Sequence, residues 1–491
     1  MTQSLKSKTL HGVGWSALQS VLNYGISFVV GIVLARLLDP SEYGLIGMAF
    51  IFIALSQTIV DSGMSNSLIR KTDATDDDFQ TVFSVNLGMS LLMYGVLYAS
   101  AGLIADFFKE PRLVDIVRVL SVVVIVNAFA QIQRTILTKR IDFKSQTKVS
   151  LLAAIVSGVV GIGMAYMGYG VWALITQTLV QSAMRTVAFW TYTKWMPRLT
   201  FSRECFHEHF SFGWKLLVSG IISTGFREGT NAVIGRYYSA ISLGYYTKAI
   251  NLTRMFSTNM TEVVNRVTYP VLSEIQNDKM RLLSAYRRMI RTAMLPTFFC
   301  MLMLAAVAEP LVLTLIGEKW LPSVGMIQVL CFYLMLYPLH AMNLNMLQVA
   351  GRSDLYLRLE IIKDVLAIIP LVLGATMGIY WMLWCNVLLG FNAYYLNAYY
   401  SGRFVGYSMW MQIKDIFPGF CVTAIAATAA WTVTLLPLNC YLQLALQGAI
   451  GLTILLGLCE LLKLPEYAEL KQIVMRRKTK SQRVKESKDQ L

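Results

Sequence analysis

Apolar residues run through this chain in long blocks, with short polar stretches between them. That pattern suits helices that cross a bilayer, because about 20 predominantly apolar residues span its hydrocarbon. The blocks place helices near 12–37, 43–66, 81–104, 113–133, 149–167, 171–193, 211–235, 244–266, 292–316, 323–349, 357–377, 380–401, 416–436 and 443–462. This makes about fourteen spans, of which the seventh and eighth are the least apolar. The expected fold class is an all-α polytopic membrane protein. The links at 167–170 and at Gly378 are so short that the helices they join must form hairpins. No loop is long enough to hold a separate soluble domain.

Composition sharpens this picture. Of the residues, 56% are apolar and 14% charged, against roughly 25% charged in a soluble chain. Too little charge is left to cover a water-facing surface. The net charge of +15 does not point to nucleic acid, because the basic residues punctuate apolar runs and form no single face. Cys205, Cys300, Cys331, Cys385, Cys421, Cys440 and Cys459 are scattered with no CxxC pair, and read as small buried side chains. Lys6 and Lys8 ahead of an apolar run resemble a signal peptide. The stretch 12–38 is too long for one and lacks a cleavage site, so it is expected to remain as the first span.

The basic residues also orient the spans. The N-terminus, the loops at 67–80, 134–148, 194–210, 268–291, 350–358 and 402–415, and the tail from 463 hold about 31 of the 43 Lys and Arg. The opposite loops hold about five: Arg36, Lys109, Arg112, Arg236 and Lys319. Both termini are therefore expected in the cytoplasm, which requires an even number of spans. The tail, with Lys471, Arg476, Arg477, Lys478, Lys480, Arg483, Lys485 and Lys488, reads as a solvated topology anchor near anionic headgroups.

An internal repeat divides the chain further. Gly14-Trp15 opens the first span and Gly213-Trp214 the seventh; Arg36 closes the first and Arg236 the seventh. The turns that follow hold Tyr43-Gly44 and Leu243-Gly244. We expect an N-terminal six-helix lobe over 1–200 and a C-terminal six-helix lobe over 201–402, in the same orientation around a central cavity. Two additional spans over 403–463 and the basic tail 464–491 follow. Parallel repeats of this kind are a transporter architecture.

Polar groups inside spans mark where a cavity would lie. On the seventh helix Lys215, Ser219, Ser223, Arg227 and Asn231 recur every four residues. On the eighth, Lys248, Asn251, Arg254, Thr258, Glu262 and Asn265 recur at three and four. Two such stripes would line a wet, basic groove suited to a large anion such as a diphosphate. The first helix offers Gln19, Asn23 and Ser27, the second Gln57, Asp61 and Ser65, so cations concentrate in the second lobe.

Plainer readings compete with the functional ones. Arg227–Glu228 and Arg254–Glu262 would serve as internal ion pairs, and Lys215 and Lys248 lie near span ends, where they would snorkel. Asp61 is either a cation-coupling carboxylate, as Glu228 and Glu262 also would be, or a polar group at its helix end. His340, Asn343 and Gln348 of the tenth helix are further candidates for the lining, while Arg185 and Glu309 stand isolated. Catalytic signatures are missing: the chain has no GxxxxGK[ST] and no HExxH. His207-Glu208-His209 has a spacing that sets its imidazoles on different helical faces.

Several segments carry a family resemblance. Ala35-Arg36-Leu37-Leu38-Asp39-Pro40-Ser41-Glu42-Tyr43-Gly44-Leu45 follows the first helix, and Asp61-Ser62-Gly63-Met64-Ser65-Asn66-Ser67-Leu68-Ile69 ends the second. Leu243-Gly244-Tyr245-Tyr246-Thr247-Lys248-Ala249 and Tyr269-Pro270-Val271-Leu272-Ser273 mark the second lobe. With these the chain resembles the polysaccharide transporter family (O-antigen and exopolysaccharide flippases, colanic-acid-exporter-like branch). That family belongs to the multidrug/oligosaccharidyl-lipid/polysaccharide exporter superfamily. The resemblance implies a flippase of the bacterial inner membrane. Its cargo would be an undecaprenyl-diphosphate-linked oligosaccharide, moved from the cytoplasmic to the periplasmic leaflet for lipopolysaccharide or exopolysaccharide synthesis. It also implies alternating access, Na+ or H+ coupling, and membrane lipids and other polysaccharide assembly proteins as partners. Arg227 and Arg254 match the cationic cavity lining best, with Lys215 and Lys248 behind them. The largely uncharged first lobe departs from relatives with arginines in both. The alternatives are a cation-coupled multidrug exporter of the same fold and, from another class, a membrane polysaccharide polymerase or ligase, for which no large external loop is present.

Overall fold

A computed structural model of the chain describes residues 25–472, which are helices and their connections with no strand among them. Gln19, Asn23 and the tail beyond 472 lie outside the described residues. Over its described part, each of the fourteen expected spans coincides with helix. Eight of these helical stretches are long and apolar enough to cross a membrane on their own composition.

The first elements are α1 (Gly25–Leu37), α2 (Pro40–Asp61), α3 (Met64–Arg70), α4 (Asp76–Phe108), α5 (Leu113–Leu120) and α6 (Val122–Lys139). They are followed by α7 (Phe143–Tyr166), α8 (Val171–Thr193), α9 (Arg203–Tyr237) and α10 (Ala240–Glu274). Then come α11 (Lys279–Ala306), α12 (Ala308–Leu315), α13 (Ser323–Leu334), α14 (Tyr337–Val349) and α15 (Ser353–Leu366). The chain continues through α16 (Ile368–Thr376), α17 (Ile379–Val405), α18 (Met409–Thr432) and α19 (Cys440–Leu461).

The helices start where caps allow, not where hydrophobicity begins. Ser202, Asp278, Ser408 and Asn439 each accept a backbone N–H of the following first turn. Thr75 and Asp78 form a reciprocal capping box on α4. The stretch 268–291, expected as a loop, is therefore largely helical, and 194–210 becomes helix from Arg203 onward. α9 and α10 each run 35 residues, or about 52 Å, against about 30 Å of hydrocarbon. Hydropathy reports the thickness of the membrane and cannot see a helix continue into water. Spans expected as single helices are also segmented. The fourth divides at Ser121, the ninth at Val307, the tenth just before Tyr337-Pro338 and the eleventh at Ala367, three residues before Pro370.

The packing divides into two compact units, 1–247 and 248–491, with the boundary inside α10. In the first unit, Met64, Leu68, Val82, Phe83, Ile132 and Ile136 make one buried cluster between α3, α4 and α6. α7 and α8 pair as a hairpin through Gly168 and Gly170, both with positive φ. The turns that the repeat matches two hundred residues apart meet each other directly. A Cβ on Gly44 would lie 1.7 Å from the Ala240 carbonyl oxygen, and one on Gly244 would lie 1.8 Å from that of Pro40. The contact is reciprocal, as a local two-fold axis requires, and both positions need glycine.

In the second unit, α11 is the post against which α18 and α19 pack. Leu295, Val422, Cys459 and Leu464 form their shared core. Arg287 clamps Asp415 with two hydrogen bonds, 2.7 Å from Nε and 2.8 Å from its terminal nitrogen, and Tyr407 donates to the same carboxylate at 2.7 Å. Asn343, a candidate lining residue by sequence, is fully buried: it accepts from Tyr286 and Ser401 and exchanges amide bonds with Gln412. It serves packing, not a cavity.

Candidate functional site

The polar stripe of the seventh span lies on α9. Lys215, Ser219, Ser223 and Arg227 are exposed, and Asn231 is half-buried. The adjoining face carries Gly213, Gly220, Thr224 and Gly235, which lie against α2 and the end of α4. A Cβ on Gly213 would come within 2.5 Å of the Ser62 carbonyl oxygen, and one on Gly235 within 2.8 Å of the Phe108 ring. Small residues on one face let the helices approach, as is usual for helix pairs in membranes. The polar stripe runs along the edge of this seam, with Lys215, Ser219, Ser223 and Arg227 left exposed. Thr224 shares a 3.2 Å hydrogen bond with Thr58 and accepts from Arg227 at 3.3 Å. Arg227 also meets Glu228 at 3.4 Å, and Glu228 accepts from Asn231 at 2.7 Å. The Arg227 side chain nevertheless stays 54% exposed, so its charge remains available.

The N-terminal turns of α9 are fixed by a second constellation. His209 is fully buried and its Nε2 donates to Asp78 Oδ1 at 3.0 Å. That leaves Nδ1 to accept from the Ser67 hydroxyl, 2.9 Å away. Asp78 also accepts from Lys71 at 3.0 Å, and Lys71 reaches Glu208 at 2.9 Å. The hydrogen bond to Glu208, followed by that to Asp78, holds the Lys71 ammonium above its ordinary pKa. The grouping of Ser, His and Asp invites a catalytic reading, but with Ser67 4% exposed and His209 at 0% no substrate can reach it. It is a clamp joining α3, α4 and α9. Of the motif His207-Glu208-His209, two residues serve this clamp. Among the described residues no three His, Cys, Asp or Glu gather as a metal site.

On α10 the stripe is again one-sided. Thr253, Ser257 and Thr261 are buried, with Ser257 donating to the Leu334 carbonyl at 2.9 Å. Asn251, Arg254 and Asn265 are exposed on the other side, with Thr258 and Glu262 half-buried between them. The two ion pairs considered from sequence come out differently. Arg227 meets Glu228, whereas Arg254 makes no ion pair with any described residue. Asn265 accepts from Asn345 at 2.8 Å. The Lys248 ammonium lies 5.7 Å from the centre of the Trp320 ring, a cation–π contact. His340 lies 3.4 Å from the Asn397 amide and edge-on to Tyr394, while Gln348 is exposed.

Asp61 stands apart from these stripes, on the last residue of α2. It accepts from the Ser65 hydroxyl at 2.6 Å and from the Gln131 amide. Sequence reasoning missed Gln131 because it lies 70 residues away in an apolar run, with no periodic signal of its own. It missed the clamp for the same reason: Ser67, Asp78 and His209 belong to three elements that only folding brings together.

Comparison with known proteins shows the family and the fold. A family profile described as "Polysaccharide biosynthesis protein" matches residues 33–325. The lipopolysaccharide biosynthesis protein WzxC of Escherichia coli K12 is 26% identical over 377 residues, covering 76% of this chain and 77% of its own. The teichuronic acid biosynthesis protein TuaB of Bacillus subtilis 168 is 24% identical over 488 residues, covering 96% and 99%. Among solved structures, the lipid II flippase MurJ in an inward closed conformation superposes with a TM-score of 0.73. Its identity is 13%, over 94% of this chain and 99% of that one.

Proposed function

The chain belongs to the polysaccharide biosynthesis protein family, and from that premise we propose that it is a flippase for a lipid-linked oligosaccharide. The cargo is an oligosaccharide on undecaprenyl diphosphate, carried from the cytoplasmic to the periplasmic leaflet of a bacterial inner membrane by alternating access. In this reading both termini face the cytoplasm, and the repeats 1–200 and 201–402 are the moving lobes. The spans in 403–463 are an accessory pair.

One observation carries the proposal. In a bundle built almost wholly of apolar helix, α9 and α10 each keep an arginine exposed on a polar stripe. An exposed guanidinium within a span is costly against lipid, so the stripes must face water or an anion. A sugar–diphosphate headgroup cannot cross about 30 Å of hydrocarbon unaided, and guanidinium groups replace the water it sheds. Arg227 and Arg254 receive the diphosphate; Lys215 and Lys248 flank them, and Ser219, Ser223, Asn231, Asn251 and Thr258 offer hydrogen bonds to sugar hydroxyls. Relatives are named for lipopolysaccharide and teichuronic acid synthesis and a structural neighbour for lipid II, all in keeping with this class of cargo.

The test replaces Arg227 and Arg254 singly with Ala and with Lys in cells that require the glycan. Loss of surface glycan in the Ala variants at normal protein level, with partial recovery in the Lys variants, is expected. Unchanged glycan in both Ala variants would remove these residues from the site.

A further inference from the structure

α15 carries charges inside what hydropathy marks as another span. Its exposed Leu357, Ile361 and Val365 recur every four residues and make an apolar face. Tyr356, Glu360 and Lys363 recur at four and three on a different face, each partly exposed. Lys363 lies about 9 Å beyond Leu357 along the helix. Ionisable groups at such depth face a bundle interior or a wet cavity. Glu360 and Lys363 form an ion pair, yet 39% and 20% of their side chains stay exposed. Together they have no net charge to offer a phosphate, but they still present acceptors and donors.

Four other helices of the second unit bring polar groups to this face. Lys363 is close enough to His340 of α14 to interact with it electrostatically, as Glu360 and Tyr337 are to Tyr356. Tyr333 of α13 lies within the same reach of Tyr337 and of Arg254 on α10. From α17, the Asn397 amide donates to His340 Nδ1 at 3.4 Å. An amide nitrogen cannot accept, so the ring proton sits on Nε2, and among the described residues nothing bonds it there. Asn397 is fully buried and its Oδ1 has no hydrogen-bond partner. Buried amide oxygens are normally satisfied, so this network is incomplete without a water or a ligand.

We propose that this face of the second unit is a sugar-reading subsite for a neutral pyranose of the lipid-linked glycan, an inference that rests on the flippase reading. Tyr337, 49% exposed, and Tyr333 offer ring faces to the apolar C–H side of the sugar. Glu360 accepts from its hydroxyls, while Lys363 and the Nε2–H of His340 donate to them. Asn397 is a positioning residue that holds His340 in the donating tautomer. The balanced ion pair favours hydroxyls over phosphate, and Arg254, exposed beside Tyr333, takes the charge. The sugar read here is therefore one that adjoins the diphosphate. A site built around hydroxyls discriminates strongly, because a missing hydroxyl leaves its polar groups unpaired.

The experiment uses the full chain in lipid nanodiscs. It measures binding of polyprenyl diphosphate, either bare or carrying one glucose, galactose, N-acetylglucosamine or glucuronic acid. In the wild type, at least one of the three neutral sugars should tighten binding roughly tenfold over the bare lipid. Glu360→Gln and Tyr337→Leu should each erase that gain and leave the affinity for the bare lipid unchanged. Arg254→Ala should weaken binding of all five lipids alike. If Glu360→Gln does not fold, Tyr337→Leu, at an exposed position, decides. A gain that survives both variants overturns the subsite, as does a gain confined to glucuronic acid. Loss of bare-lipid affinity in either variant also overturns it, because the residue then acts on the diphosphate or on the fold. Binding of the bare lipid with no gain from any sugar removes the subsite alone. No binding of any of the five lipids removes the flippase reading and the subsite with it.

Discussion

His209 and Arg227 sit on one helix and are treated in opposite ways by their surroundings. His209 has both ring nitrogens satisfied and no exposed surface, whereas Arg227 keeps about half of its side chain open. The difference decides what each substitution does. Replacing His209 with Ala leaves the buried Asp78 short of a donor and strands Ser67. The expected loss is about 2–4 kcal/mol of stability, read as a drop of several degrees in the unfolding midpoint of the purified protein. An unchanged midpoint would show that the clamp carries no load. Arg227→Ala, by contrast, should leave the midpoint nearly unmoved while abolishing glycan export. A second residue-scale expectation concerns Gly244. Gly244→Ala puts a methyl group on the Pro40 carbonyl, so the turns must separate, with an expected loss of about 1–3 kcal/mol or more. The same substitution at Gly102, where a Cβ meets nothing within 4 Å, is the control. The repeat made Gly44 and Gly244 equivalent in the sequence; that they touch was not legible, because a repeat gives correspondence and not distance.

At the scale of elements, the helices were readable and their ends were not. Apolar length marked every span, yet the water-facing turns of α4, α9, α10 and α11 are set by Thr75, Ser202 and Asp278 or simply continue for want of a breaker. α18 and α19 were expected as a pair outside the repeat, and what fixes them to α11 is electrostatic as well as apolar. Arg287 grips Asp415 of α18, and Arg288 and Thr292 grip Glu469, in the segment that follows α19, at 2.9 and 2.8 Å. Arg287→Asp should therefore loosen α18, lowering the midpoint by about 3–5 kcal/mol in equivalent stability, since it leaves Asp415 facing a like charge. Adding Asp415→Arg should restore most of the loss. Failure of the double variant to recover would show that packing of Leu295, Val422 and Cys459 alone seats the helix.

For the whole molecule, the bias of basic residues gives a prediction that no single element can. Cysteines introduced at Arg112 and Lys319 into a chain freed of its own reactive thiols should react with a membrane-impermeant maleimide in intact cells. Those at Lys71, Lys279 and Lys414 should react only after the membrane is opened. Labelling in the reverse sense would invert the topology and with it the direction of transport.

Sequence alone settled what any local stretch can settle: apolar length, the spacing of polar stripes, the sign and placement of loop charge and the offset of the repeat. These need no partner, because the bilayer acts on each helix separately. Which polar residues are spent on structure was decided only by the fold. Asn343 and His209 are consumed in buried networks, Arg227 and Arg254 are left exposed, and Asp61 meets Ser65 and Gln131. Such outcomes depend on distances between residues far apart in the chain, and packing of helix on helix is what sets those distances.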